Sequence, residues 1–417
     1  SSVKNINDEA FYGCSSLWEI TLPEGLTSLG CGVFQECTSL YSVTIPNSVT
    51  NLGGCMFSGS GVNEVHLPDS LTEIPESMFS NCKQLSSVNI PQQVTHISDY
   101  AFCDSHISLA LPPHVTSIGN SAFYNTGQIK LTNNITSIGD YAFSYSSLDS
   151  LPNKLEHIGE YAFSRTSFSQ PVIIPNTIKS IGKYAFEWAS MPYPLTFEPG
   201  ITTIPEYAFA GMYLDSLLIP NTVTQIGSNA FAGSWINSVT IPSSVTTIGD
   251  NAFKGCSLTA INFGDAPQSV MQRSVRTINK LEKIGRGSFS NCTNLAEVVI
   301  PEGVTEIGES SFYNCSSLKE LTLPSSVQLV GDSCFALCSK LDSISVKATA
   351  PPTISANTFE SVSRSIPVSI PSGTLDDYRA NAYWSEFLAI GGLPTALSQF
   401  ELIEGVYAQN GAIVIDN

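Results

Sequence analysis

The sequence predicts a repeat solenoid: a right-handed superhelix of parallel β-strands, mostly β and irregular, with few helices and a C-terminal cap. Three observations predict it. A Phe recurs at positions 11, 34, 57, 79, 102, 123, 143, 163, 186, 209, 231, 253, 289, 312 and 335, at intervals of 20–23 residues with one of 36. Such a period marks units that stack only on their neighbours. The intervening segments also align. Residues 42–57 (SVTIPNSVTNLGGCMF) and 238–253 (SVTIPSSVTTIGDNAF) share the template xVxIPxxVTxIGxxAF. Finally, every unit runs in the same direction, so its strands must be parallel. One elongated stack of about fifteen units, at about 4.8 Å per unit, is expected to be roughly 70 Å long.

Each element of the template has a physical reason. Val239 and Ile241 alternate with Ser238 and Thr240, the period-two pattern of a half-buried strand. Pro242 has no N–H for a ladder and ends that strand. Val245 and Ile248 begin a second short extended stretch, and Gly249 is expected to permit a turn that a Cβ resists. Ala252 and Phe253 then return to the core. The inward ladder is expected at Ile45, Leu67, Ile90, Leu111, Leu131, Leu151, Ile174, Phe197, Ile219, Ile241, Phe263, Ile300 and Leu323.

With its IP and IGxxAF marks, this template resembles the BspA-like branch of the leucine-rich repeats over about residues 3–345. That branch consists mainly of surface proteins of host-associated bacteria, Bacteroidetes among them, and of some protozoa. The resemblance implies a secreted or outer-membrane-attached protein that recognises a host or microbial macromolecule. The implied partner is a host extracellular-matrix or surface protein, or a glycan. We expect a monomer with no cofactor and no enzymatic activity.

The formal net charge is −18. That argues against nucleic acid, whose phosphates need clustered Lys and Arg, and against docking on anionic lipid. No apolar run reaches transmembrane length. No signal peptide is visible, but residues 1–11 enter the template halfway, so a preceding segment with an export signal is expected.

Seven of the eleven cysteines (Cys14, Cys37, Cys82, Cys256, Cys292, Cys315 and Cys338) lie three residues after the repeat Phe. Other units carry Ser60, Ser105, Thr126, Ser146, Thr166, Ala189 or Ser234 there. The slot is expected to hold a small buried side chain, with Cys acting as a small hydrophobe. Side chains in one ladder point the same way, whereas a disulfide needs converging Cβ vectors, so free thiols are expected. Cys31, Cys55, Cys103 and Cys334 occupy other slots, and an exception would fall at Cys334.

Solenoid function tends to sit where the repeat is violated. Short units around Phe123, Phe143 and Phe163 cut the return loop and are expected to change the curvature locally. Trp188, Met191 and Tyr193, then Met212 and Tyr213, then Trp235 fall in three successive units, in slots elsewhere filled by small polar residues. Trp and Tyr are enriched at binding hot spots, so these residues are the candidate contact patch, for protein or, alternatively, as a stacking platform for carbohydrate. The competing reading is core filling. An insertion near 264–278 carries Arg273 and Arg276 within the one basic concentration of an acidic chain, and a protruding loop is a normal place for recognition. Domain limits are expected at 1–345 for the solenoid and 346–394 for the cap. Residues 395–417 are expected to start a truncated C-terminal β module, and residues 401–417 (ELIEGVYAQNGAIVIDN) resemble the opening of the C-terminal sorting module of Bacteroidetes surface proteins. Residues 373–390 read as a helix with Tyr378, Trp384 and Phe387 on its apolar side. The final segment reads as a hairpin around Asn410 and Gly411.

The sequence contains no HExxH, GxSxG, P-loop or paired CxxC. His96, His106 and His114 sit in neighbouring units without metal-ligand spacing. Acids three residues before the Phe, such as Asp99, Asp140 and Asp250, share one environment, whereas acid–base pairs need two. They are expected to cap the short turn that carries Ala-Phe.

Overall fold

The computed structural model describes residues 3–192, 194–264 and 279–391, together with the backbone of Val406–Gln409 and Ala412–Ile415. Among the described residues its regular secondary structure is almost wholly short parallel strands joined by turns, and the fold class read from the period holds. The chain forms two compact units. The first comprises Ser1–Ile201 with Tyr207–Tyr213, and the second Thr202–Glu206 with Leu214–Asn417.

In the first unit the VTxIG stretch of each repeat supplies a two-residue strand. Six of these, from Glu73–Ile74 to Ser180–Ile181, form one sheet in which equivalent residues face each other, as Ile118 faces both Ile97 and Ile138. The xVxIP stretch supplies a second row, for example Ser42–Thr44, Glu64–His66 and Ser87–Asn89. The Phe side chains stack between the rows. Phe123 and Phe143 lie 5.3 Å apart with rings 6° from parallel, close to the spacing of the strands that carry them.

The second unit repeats this plan. Thr247–Ile248 pairs directly with Lys283–Ile284, and Phe253 stacks on Phe289 at 5.3 Å. The 36-residue interval therefore leaves the ladder unbroken. The strands Tyr213–Leu218 and Trp235–Ile241 are longer than their counterparts elsewhere. Past Val346 the stack continues: Phe359 stacks on Phe335 at 5.5 Å, and Pro367–Ser369 and Ala389–Ile390 extend the parallel sheet. A helix occupies only Leu375–Ala380, followed by a single 3₁₀ turn at Trp384–Glu386, so the helix read over 373–390 is much shorter than expected. The three aromatics of this segment are buried as expected. The Tyr378 hydroxyl donates to the Ala348 carbonyl at 2.7 Å and the Trp384 indole N–H to the Pro352 carbonyl at 2.8 Å, which ties the segment to the last turns. Val406–Gln409 and Ala412–Ile415 pair antiparallel; Asn410 and Gly411 between them lie outside the described residues.

Three local expectations need correction. The inward ladder is fully buried at Ile45, Ile241 and Leu323, but Ile90, Leu131, Leu151, Phe197 and Phe263 are only half-buried. Gly249 has no left-handed φ; it is Gly because a Cβ would come 2.6 Å from the Ser228 nitrogen of the preceding turn. The left-handed residues instead flank the Phe at two before and two after, as at Asn229 and Gly233 around Phe231. The acids before the Phe do not cap their own turn. Asp99 accepts from the Asn120 N–H at 2.7 Å and Asp140 from that of Glu160 at 2.7 Å, each one turn further along the stack.

Candidate binding surface

The Phe+3 slot shows how sequence chooses a side chain here. Cys82 donates its thiol to the Phe57 carbonyl of the preceding turn at 2.9 Å, and Cys292 does so to Phe253 at 3.3 Å. Thr166 does the same to Phe143 at 2.7 Å. In several units the slot therefore holds a small donor, though Ala189 offers none and the buried Ser105 hydroxyl has no partner. All eleven cysteines are free thiols, Cys334 included. Cys14 is exposed, contrary to expectation. Burial pushes the thiols of Cys82, Cys292 and Cys338 up to about 12. Inert, protonated thiols fit a structural part.

The candidate contact residues separate. Trp188 and Tyr213, carried by the first unit, are 51% and 67% exposed, and Trp235, carried by the second, is 60% exposed. Met191 and Met212 are buried and leave the surface set: their side chains fill the interior of the stack. Tyr193, Arg273 and Arg276 lie outside the described residues.

Around Trp188 the structure assembles a surface that was not read from the sequence. Two columns flank the Phe stack. Two residues before each Phe, Tyr141, Tyr161, Tyr184 and Tyr207 stack face to face, with ring centroids 4.7, 4.5 and 4.5 Å apart. Two residues after it stand Tyr145, Arg165 and Trp188. Tyr145 is half exposed, and the Arg165 guanidinium sits 5.5 Å over its ring. Trp188 lies over Gly211, the equivalent residue one turn on. Each of these positions has a left-handed φ, from 53° to 62° for the seven side chains. A large side chain there costs about 1–2 kcal/mol of backbone strain, where Gly would cost none. Burial raises the Tyr161 phenol, and the neighbouring Tyr184 and Tyr141 phenols add to the shift. Glu187, beside Trp188, is also raised by burial, an effect opposed by Arg165. The signal was present as a recurring YAF tripeptide.

Among the described residues no group of three or more His, Cys, Asp or Glu is placed to hold a metal ion. His96 and His157 bond singly to Ser117 and Ser180. Among the described residues no helix is long and apolar enough to cross a membrane.

Comparison with known proteins agrees with this architecture. No curated protein matches the sequence. The solved leucine-rich repeat protein from Bacteroides ovatus ATCC 8483 is similar, with a TM-score of 0.59 and 22% identity over 83% of this chain and 87% of that one; at that identity the likeness concerns the fold. A leucine-rich cell surface protein from Faecalibacterium prausnitzii A2-165 has a TM-score of 0.41 and 24% identity over 82% of this chain and 83% of its own. The pneumococcal vaccine antigen PcpA has a TM-score of 0.38 and 15% identity over 94% and 88%. The model of the BspA type leucine rich repeat region matches residues 4–127, 103–191, 202–275 and 269–386. With nearly the whole stack covered by that match, the chain belongs to the BspA-type leucine-rich repeat family.

Proposed function

We propose that this chain is a non-enzymatic, adhesin-like binding protein, secreted or displayed on the cell surface, that recognises a protein partner through the aromatic edge of its first unit. Membership of the leucine-rich repeat family supports protein recognition as the general role. The observation that carries the location is the column Tyr145, Arg165 and Trp188, exposed side chains held at left-handed positions that Gly or Asn would occupy with less strain. Trp, Tyr and Arg are the residue types most enriched at binding hot spots. Stacking on their own neighbours pre-orders these side chains, so less rotamer entropy is lost on binding.

The test is a pull-down of the full chain against extracellular-matrix and host surface proteins, run beside a glycan array. Capture of a protein partner that is lost in Trp188→Ser supports the reading. Unchanged capture by that variant moves the site elsewhere, and a signal confined to the glycan array favours carbohydrate recognition instead.

A further inference from the structure

In the second unit the same two columns carry mostly Gly, Ser and Asn, and at Gly287 the surface opens. Gly255, two after Phe253, and Gly287, two before Phe289, both have left-handed φ of 70° and 61°. Beside them lies an open dish of about 340 Å³, at the small end of the range for ligand pockets. Its cations are Lys254 and Arg286. Lys254 has no ion pair among the described residues. Arg286 has only a long contact to Asp250, 3.7 Å and exposed. Asp250 is engaged otherwise, accepting the Arg286 backbone N–H at 2.9 Å. Two positive side chains lining one dish is unusual in a chain of net charge −18.

The rest of the lining limits what an anion there can be. Every backbone N–H of the lining residues is already donated within the protein. That of Asn251 goes to the Arg286 carbonyl at 2.7 Å, that of Gly287 to Glu309 at 2.8 Å, and that of Asn291 to Tyr313 at 2.8 Å. Ser290 and Ser310 likewise spend theirs on Gly287 and Asp332. A phosphate site is normally cradled by free backbone N–H groups, and none is offered here. What remains is side-chain chemistry: the carboxamide of Asn251, which lies over the space a residue-287 side chain would fill, the Ser310 hydroxyl, and the half-buried Tyr313. Two cations with amide, hydroxyl and phenol groups match a carboxylate borne on a small polyol ring.

We propose that this dish binds a carboxylated monosaccharide. Its carboxylate sits at Lys254 and Arg286, and its hydroxyls meet Asn251, Ser310 and Tyr313. This site belongs to the second unit and stands independently of the protein-binding edge on the first.

Titration calorimetry on the full chain tests it with glucuronate, glucose and inorganic phosphate as probes. Glucuronate is expected to bind with a Kd on the order of 1 mM, and glucose at least about tenfold more weakly. Lys254→Gln combined with Arg286→Gln should weaken glucuronate at least about tenfold without lowering the melting temperature. Gly287→Tyr fills the dish and leaves both cations in place. The same slot already accepts Tyr184 at φ 58°, and this variant should abolish binding. Trp188→Ser should leave glucuronate binding unchanged, which separates this proposal from the preceding one. Failure of glucuronate to bind, equal binding of glucose, tighter binding of phosphate, or full binding by Gly287→Tyr would each overturn it.

Discussion

The indole of Trp188 lies over Gly211 of the next turn so closely that a Cβ on Gly211 would come 2.5 Å from Cδ2 and 2.6 Å from Cε2. The glycine thus serves two needs: a left-handed φ of 69° and room for the ring. Gly211→Ala must therefore displace the indole. We expect it to weaken partner binding as Trp188→Ser does, by about 2 kcal/mol or more. Gly233 supplies the control, since its φ is also 69° but nothing lies within 4 Å of its Cβ position. Gly233→Ala should show the same backbone strain, about 1–2 kcal/mol, with binding intact. Equal binding by the two glycine variants would show that the indole does not contribute.

The Phe stack predicts where stability resides. Phe231 is fully buried and stacks on Phe253 at 5.2 Å, 8° from parallel. Phe231→Ala should cost about 3–5 kcal/mol, and hydrogen exchange should rise most in the adjacent turns because coupling is between neighbours. A loss below about 1 kcal/mol would contradict a tightly packed core.

In the Phe+3 slot, Cys292→Ser keeps a donor for the Phe253 carbonyl and should be tolerated. Cys292→Ala removes that donor and, because the Cys256 N–H still reaches the Phe253 carbonyl, should cost about 0.5–1.5 kcal/mol. The order is the test, because a slot selecting only small apolar bulk would prefer Ala. Thiol labelling of the native chain should reach Cys14 and Cys31. It should reach Cys37, Cys292, Cys315 and Cys338 only after unfolding.

The same thiols predict an alkaline limit. Those of Cys82, Cys292 and Cys338 rise from the ordinary 9.0 to about 12 in the fold. Above about pH 9 the unfolded chain sheds these protons while the folded chain keeps them, so the unfolded state binds fewer protons and stability falls. The contribution is complete below about pH 9 and is lost as the pH rises toward about 12. Each thiol adds up to about 1.4 kcal/mol per pH unit to that slope. Melting temperatures of the wild type and of the triple Cys→Ser variant, measured from about pH 8 to 10, should diverge as pH rises. Parallel curves would refute the assignment.

The cap makes the last prediction. Trp384 is fully buried, contacts Tyr378 edge-on at 5.7 Å, and donates to Pro352. Trp384→Ala should cost about 3–5 kcal/mol and expose the end of the stack, so that a rise in aggregation accompanies the fall in melting temperature. A variant as stable and soluble as the wild type would remove the cap assignment.

The period of the Phe and the IP and IGxxAF marks determined the parallel stack, its register and the burial of Phe34 through Phe335, because a repeat can bury its apolar face only on an identical neighbour. The burial of Trp384 was legible for the same reason. Tertiary structure decided matters that depend on the adjacent turn. Gly249 reads as a turn residue in one dimension, but its role is set by the Ser228 nitrogen 2.6 Å from where its Cβ would be. Cys292 reads as a small hydrophobe until the Phe253 carbonyl appears beside it. Met191 and Met212 sit in the same return segments as Trp188 and Tyr213. Around Trp188 and Met191 only the path of the backbone decides which side chain turns inward, whereas Tyr213 opens a strand and stands exposed between buried Met212 and Leu214. The stacked tyrosines from Tyr141 to Tyr207 became a surface only when separate turns, 20 to 23 residues apart in the chain, were brought to ring separations of 4.5–4.7 Å.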